Sequence, residues 1–301
     1  MTSAIPIGAF GDLVAQVLDE WLEASPATAT SLGEHRFDHR LAESGPQVRE
    51  HDAARWRARL GDLDALDVAL PTPAERVDHA ILRHRLEARI FELESLREYS
   101  WNPLPANPGS ALHVLLAREF APLPERLRSV AGRLGQIPSS LAAARADLVH
   151  MPEVHVATAI GQFTGTQTLL GTELERALAR EPSLVAVLAE PLALAQDALT
   201  DHLAWLTARQ ADAQGDPRLG PDLFSRKLRF TLDTDDSPDV VLGHANAELA
   251  RITEEIAEVA SRIAGAPPRE GQVREVLDRL AADAPNDDTV VDLAEIGRAH
   301  V

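Results

Sequence analysis

From Ala74 to Tyr99 the chain reads AERVDHAILRHRLEARIFELESLREY, with Ile81, Leu82, Leu86, Ile90, Leu93 and Leu96 recurring every third or fourth residue. That period gathers apolar side chains on one face of an α-helix, whereas a half-buried strand needs alternation at every second residue. Residues 9–24 repeat the pattern through Leu13, Val14, Val17, Leu18, Trp21 and Leu22. Ala, Leu, Arg and Glu dominate and aromatics make up only 4%, so most positions lose little side-chain freedom in a helix. The expectation is an all-α protein, a multi-helix array of antiparallel long helices.

Prolines punctuate the array. A turn-rich connection is expected from Pro26 to Pro46, a second helix over 47–66, and a break at Pro71 and Pro73. Three prolines between Pro103 and Pro108 force irregular backbone, because proline has no amide donor. Short helices follow near 110–120, 122–134 and 138–150, each bounded by proline. A long pair over 152–180 and 182–212 starts at Pro152 and Pro182, in first-turn positions where proline is tolerated. The tight join at Glu181-Pro182 predicts an antiparallel helical hairpin. Gly215-Asp-Pro-Arg-Leu-Gly220 reads as a linker, followed by helices over 222–230, 238–264 and 270–283 and an unfinished element at Thr289–Ala294.

The expected organisation is therefore a helical N-terminal region, 1–214, and the start of a second helical region, 215–294. Residues 295–301, Glu-Ile-Gly-Arg-Ala-His-Val, can be written with the codons GAG-ATC-GGA-AGA-GCA-CAC-GTC. Those codons match the start of a short-read sequencing adapter translated in frame, so this tail is set aside from fold reasoning.

Twenty-nine basic against 47 acidic residues give a net charge of −18. So acidic a chain repels phosphate backbones, and no nucleic-acid partner is expected. The absence of cysteine excludes disulfides and thiolate metal sites. The first ten residues lack a positive n-region, and no run of about 18 apolar residues offers a membrane span. A cytoplasmic location without membrane attachment is the expectation.

Chemical motifs are sparse. No HExxH, Gly-rich phosphate loop, GxSxG elbow or CxxC occurs. His35 and His39 stand four apart with Asp38 between them, a spacing that would share a helix face and could hold a metal or substrate; a hydrogen-bonded polar turn is the competing reading. His79/His84 and His150/His155 are five apart, which points the rings to different sides of a helix. The acidic run Asp233–Asp239 fails as a calcium loop, because its sixth and twelfth positions are Pro238 and His244 instead of glycine and glutamate. It reads as a helix start, with Ser237 as N-cap, Pro238 next and Asp239 facing the dipole. Gly161, Gly165 and Gly171 form a small-residue stripe expected to admit a neighbouring helix.

Several segments together resemble the bacterial family called domain of unknown function 885. They are Pro26-Ala-Thr-Ala-Thr-Ser-Leu-Gly33 with His35-Arg-Phe-Asp38 and Leu41, then Arg133-Leu-Gly-Gln-Ile-Pro138 with Leu141 and Leu148. Met151-Pro-Glu-Val154, Leu219-Gly-Pro-Asp-Leu-Phe224 with Leu228, and Ala247-Glu-Leu-Ala-Arg-Ile252 continue the series. The resemblance implies a helical zinc peptidase of the thermolysin-related superfamily. The family's hallmark is a His-Glu-x-x-Pro-Gly-His segment in the C-terminal half of a chain about twice this length.

Nothing in 1–301 matches that segment, so no catalytic or metal residue is carried onto this chain. The implied role is an N-terminal part, inactive alone, that supplies one wall of a peptide-binding cleft, with zinc held elsewhere in the intact protein. His35, Arg36 and Phe224 are candidate substrate-lining residues, because they lie in the family-like segments. The alternatives are an acidic helical scaffold that binds a protein partner, and a metal protein using His35 and His39.

Overall fold

The computed structural model describes residues 8–66 and 72–284. Pro71, the expected element at Thr289–Ala294 and the adapter-like tail lie outside them. Among the described residues, regular structure is helical, and the β-type pairing is an isolated bridge between Pro152 and Gln214. The fold is all-α. The chain divides into two compact units between Asp233 and Thr234.

The first unit opens with α1 (Ala9–Ala24), α2 (Pro26–Leu32), α3 (Pro46–Ala65) and α4 (Pro73–Phe91). Next come α5 (Gly109–Ala117), α6 (Leu123–Asp147), α7 (Glu153–Leu169), α8 (Glu175–Arg180), α9 (Val185–Gln210) and α10 (Pro221–Leu232). Two apolar cores hold it. One unites Phe10, Leu13, Val17, Trp56, Leu63, Leu82 and Leu86 from α1, α3 and α4. The larger joins α5, α6, α7 and α9 through Leu115, Leu127, Val130, Leu134, Ile137, Phe163, Leu188, Leu199 and Leu206, all fully buried. Each such side chain contributes about 1.5–3 kcal/mol on burial. The expected hairpin is present: Gln167 Nε2 on α7 donates to Thr200 Oγ1 on α9 at 3.0 Å.

Four expectations need correction. The first is Pro138, which does not separate two helices; α6 runs unbroken from Leu123 to Asp147 with the proline inside it. Leu127, Val130, Leu134, Ile137 and Leu141 keep their three- and four-residue spacing across it, all buried. Packing along one continuous stripe outweighs the single backbone hydrogen bond that proline forfeits. The second is the connection from Pro26, which is helical over α2 and ends at Gly33, whose φ of 91° suits glycine. The third is the helix predicted through Tyr99: its α part stops at Phe91, passes through a π turn at Glu92–Leu96 and ends at Arg97 with φ 48°. The fourth is the glycine stripe. A Cβ at Gly161, Gly165 or Gly171 would meet nothing within 4 Å, so no helix among the described residues approaches there.

The close approaches lie at other glycines. A Cβ at Gly132 would sit 2.6 Å from the His39 carbonyl oxygen, and one at Gly215 would sit 2.4 Å from that of His150. Gly215 also donates its amide to the Met151 carbonyl at 3.2 Å. Farther along, Phe230 of α10 packs on Phe91 with centroids 5.1 Å apart, and His84 Nε2 lies 3.0 Å from the Phe230 carbonyl oxygen. The segment from Gly215, expected to begin a second region, is thus tied to the first unit as far as Asp233.

The second unit holds α11 (Pro238–Ala264) and α12 (Gln272–Ala282), packed as a hairpin. Its start follows the sequence reading: Ser237 Oγ accepts from the Val240 amide and Pro238 occupies the first turn. Gly265, with φ 64°, ends α11, and Gln272 ties the turn by donating to the Ala266 carbonyl at 3.2 Å.

Two alanine substitutions separate crowded from open glycines. Gly215→Ala should lower the denaturant midpoint by an amount corresponding to roughly 1–3 kcal/mol, because backbone atoms must move. Gly161→Ala, in an open helical position, should raise stability by about 0.5–1 kcal/mol. Urea titrations followed by circular dichroism read both, and the opposite order would contradict the packing described.

Candidate functional site

Two of the family-like segments, 26–41 and 133–138, meet at one buried cation. Arg133 of α6 is fully buried. Its Nε donates to the Arg40 carbonyl at 3.0 Å, its Nη2 to Thr30 Oγ1 at 2.7 Å, and its Nη1 to the Ala111 carbonyl. Thr30 Oγ1 lies 2.6 Å from Asp38 Oδ1, whose other oxygen is 3.0 Å from His35 Nδ1. The His35 ring stacks on Phe120 with centroids 4.1 Å apart. Burial pushes the Arg133 guanidinium down to about 10 while Asp38 draws it back up, so it stays cationic at neutral pH. One turn farther along α6, Gln136 donates to the His39 carbonyl at 2.8 Å and accepts from the Leu41 amide at 3.0 Å. Gly132 leaves room for that carbonyl. Residues 26–41 are thereby fastened onto α5 and α6.

This places the residues singled out in the sequence. His35 and Arg36 are neighbours in the turn before α3, and Phe224 stands 47% exposed on α10. His35 is engaged by Asp38 and Phe120. Arg36 is exposed and pairs with Asp19 at 2.6 Å and Glu34 at 3.0 Å; the hydrogen bonds it donates to both carboxylates raise its pKa. The segment carrying His35 and His39 is a turn, so the shared helix face that four-residue spacing would give does not arise. Among the described residues, no group of three or more His, Asp or Glu side chains is arranged to hold a metal ion.

The concave feature of this unit lies beside the clamp. A cleft of about 480 Å³ is bounded by Leu41–Ser44, by Val48, Arg49 and Asp52 of α3, and by Arg89 and Glu92. Glu98, Tyr99, Asn102 and residues 105–108 form another wall, with Ser140, Ala144 and Asp147 of α6 opposite. Arg49 and Asp147 form a two-point ion pair, one bond of which measures 2.7 Å. The guanidinium lies 3.9 Å from the Tyr99 ring centroid. Burial works against the charge on Arg49, but Asp147 and Tyr99 more than offset it and raise its pKa. A smaller cleft of about 400 Å³ on the other flank of α3 shares Glu43, Val48 and Asp52 and adds Glu23, Gln47 and His51.

Five carboxylates against two guanidiniums line the larger cleft, which favours a basic or hydrogen-bonding ligand. Each carboxylate already has a partner: Glu43 with Arg40, Asp52 with Arg55, Glu92 with Arg89, Glu98 with Asn102, and Asp147 with Arg49. The lining suits binding more than proton transfer. Sequence reading missed it, because Arg49 and Asp147 are 98 positions apart and neither belongs to a recognisable motif.

One buried histidine stands apart from both features. His202 of α9 is fully buried, accepts from Arg145 Nε at Nδ1 over 3.1 Å, and sits against Phe163 and Trp205. Burial first, then the charge of Arg145, holds its pKa down to about 4.

The first unit is an all-helical fold with a carboxylate-rich cleft. The family described as "Bacterial protein of unknown function (DUF885)" matches residues 26–295. The chain belongs to that family. None of the curated proteins matches it. A solved structure described as "a putative lipoprotein of unknown function from Shewanella oneidensis" shares the fold, with a TM-score of 0.76 at 22% identity. The match covers 96% of this chain and 56% of that one, so this chain spans little more than half the neighbour's length.

The neutral His202 generates a pH prediction. Its folded pKa of about 4 lies below the ordinary 6.5, so below pH 6.5 the unfolded chain takes up the proton first. Stability is full above pH 6.5 and falls as pH drops toward 4, by about 3 kcal/mol in total from this group. His202→Gln should flatten that part of the profile in urea titrations at pH 7, 5.5 and 4.5. An unchanged slope would contradict the assignment.

Proposed function

We propose that this chain is the N-terminal, substrate-holding part of a zinc-dependent peptidase of its family and is inactive on its own. The observation that carries this reading is the span: the match takes in nearly all of this chain but only 56% of its neighbour. The acidic cleft supports the same reading, since it could hold a basic or extended segment of a peptide. Arg36 and Phe224 line neither cleft, but their exposed side chains could meet a peptide outside it, whereas His35 would act by holding the wall in place. In the intact protein, bound zinc would supply Lewis-acid polarisation of the scissile carbonyl and an activated water. The residues of this chain would hold and orient the substrate.

The adapter-like reading of 295–301 belongs to the same proposal, as does a cytoplasmic location; the word lipoprotein describes the Shewanella protein. The second reading is a non-catalytic helical interaction module, favoured by the exposed apolar side chains of α11.

Sequencing the source gene beyond codon 294 tests the choice. The frame should continue into a His-Glu-x-x-Pro-Gly-His segment, and the purified 301-residue chain should carry no stoichiometric zinc and cleave no peptide. An early stop codon, or hydrolysis by the chain alone, would overturn the proposal.

A further inference from the structure

The longest described helix buries almost nothing. α11 is 27 residues long, yet Ala260 is its one buried residue. Its apolar side chains nevertheless follow a strict register. Leu242, Leu249, Ile256 and Ile263 are seven apart, and Ala245, Ile252 and Val259 fall between them at the spacing of a coiled-coil seam. Of the seam residues, Leu249 is 65% exposed, Leu242 59%, and the Ile and Val positions 40–48%. By contrast α9, of similar length, buries Leu188, Ala195, Leu199, His202 and Leu206. α12 packs beside Ala260, on one flank of the stripe, and leaves Leu277 and Leu280 exposed in turn. A two-helix hairpin cannot cover such a seam, and contiguous exposed apolar surface of this kind marks a docking face.

We propose that the seam of α11 docks an amphipathic helix from the C-terminal portion of the longer family fold. This rests on the reading that the intact protein extends beyond this chain. Two observations choose that occupant. The match takes in 56% of the fold neighbour, so the rest of that chain is available to supply cover. A second copy is disfavoured by charge, since every copy carries −18. The arrangement is a helix laid into a preformed apolar groove, with anchors at successive turns.

The lack of cysteine allows a direct test. Single-cysteine variants Ile256→Cys, in the seam, and Glu254→Cys, on the opposite side of α11, are made in the 301-residue chain and in the product of the complete reading frame. Helical circular dichroism checks folding, and maleimide labelling rates are compared. The variant Ile256→Cys should label quickly in the shorter chain and roughly tenfold or more slowly in the longer one, because reaction there requires local opening. Glu254→Cys should label alike in both.

Equal rates for Ile256→Cys in the two chains would overturn the docking proposal even with the extended reading intact. Slow labelling in the 301-residue chain would place the cover within that chain or, if concentration-dependent, in a second copy, and would also overturn it. A reading frame that ends near codon 294 would remove the occupant and the extended reading together.

Discussion

A single buried guanidinium organises the first unit. Arg133 has lost its water, and an ion in that position is costly unless its donors are all met. Each of its three nitrogens meets an acceptor, and these acceptors do not neighbour one another in sequence: the carbonyls of Arg40 and Ala111 and the hydroxyl of Thr30. Charge-assisted bonds of this kind are stronger than neutral ones. A single side chain on α6 therefore fixes where α2, the turn before α3, and α5 must lie. Asp38 supplies the countercharge through Thr30, and His35 orients Asp38.

That clamp also shapes the cleft. Arg40, whose carbonyl Arg133 holds, directly precedes Leu41–Ser44, which form one wall; Ala111, also held, lies on the rim with Ser110. A second ion pair, between Arg49 and Asp147, joins α3 to the end of α6 at the same cleft. The segments that carry the family resemblance are thus mainly the frame of a groove. His35 contributes through stacking on Phe120 and a hydrogen bond with Asp38, a structural role for the His-x-x-Asp segment.

Much of the helical array was legible from residue spacing. Apolar periodicity located α1 and α4, first-turn prolines Pro152 and Pro182 marked the pair that holds α7 and α9, and the Ser237-Pro238 start of α11 followed from capping chemistry alone. Local signals failed where tertiary packing outweighed them. Pro138 reads as a stop but lies within a stripe buried from Leu127 to Leu141. Gly161 and Gly165 read as a helix contact, whereas the crowded glycines are Gly109, Gly132 and Gly215, against Thr166, His39 and His150. The cleft was invisible for the same reason, since its defining pair spans α3 and α6. The arrangement of Arg133 with Thr30 and Asp38 left a faint trace, as these residues all belong to the segments that resemble the family.

The account depends most on Arg133 and Asp38 acting as one unit. A double-mutant cycle with Arg133→Met and Asp38→Asn, read by urea unfolding at pH 7, measures their coupling directly. Each single change should destabilise strongly, and the pair should cost clearly less than their sum, with a coupling of about 1–3 kcal/mol. Simple additivity, or single changes that each cost under about 0.5 kcal/mol, the range of ordinary surface substitutions, would contradict the claim that this buried cation fixes the fold and its cleft.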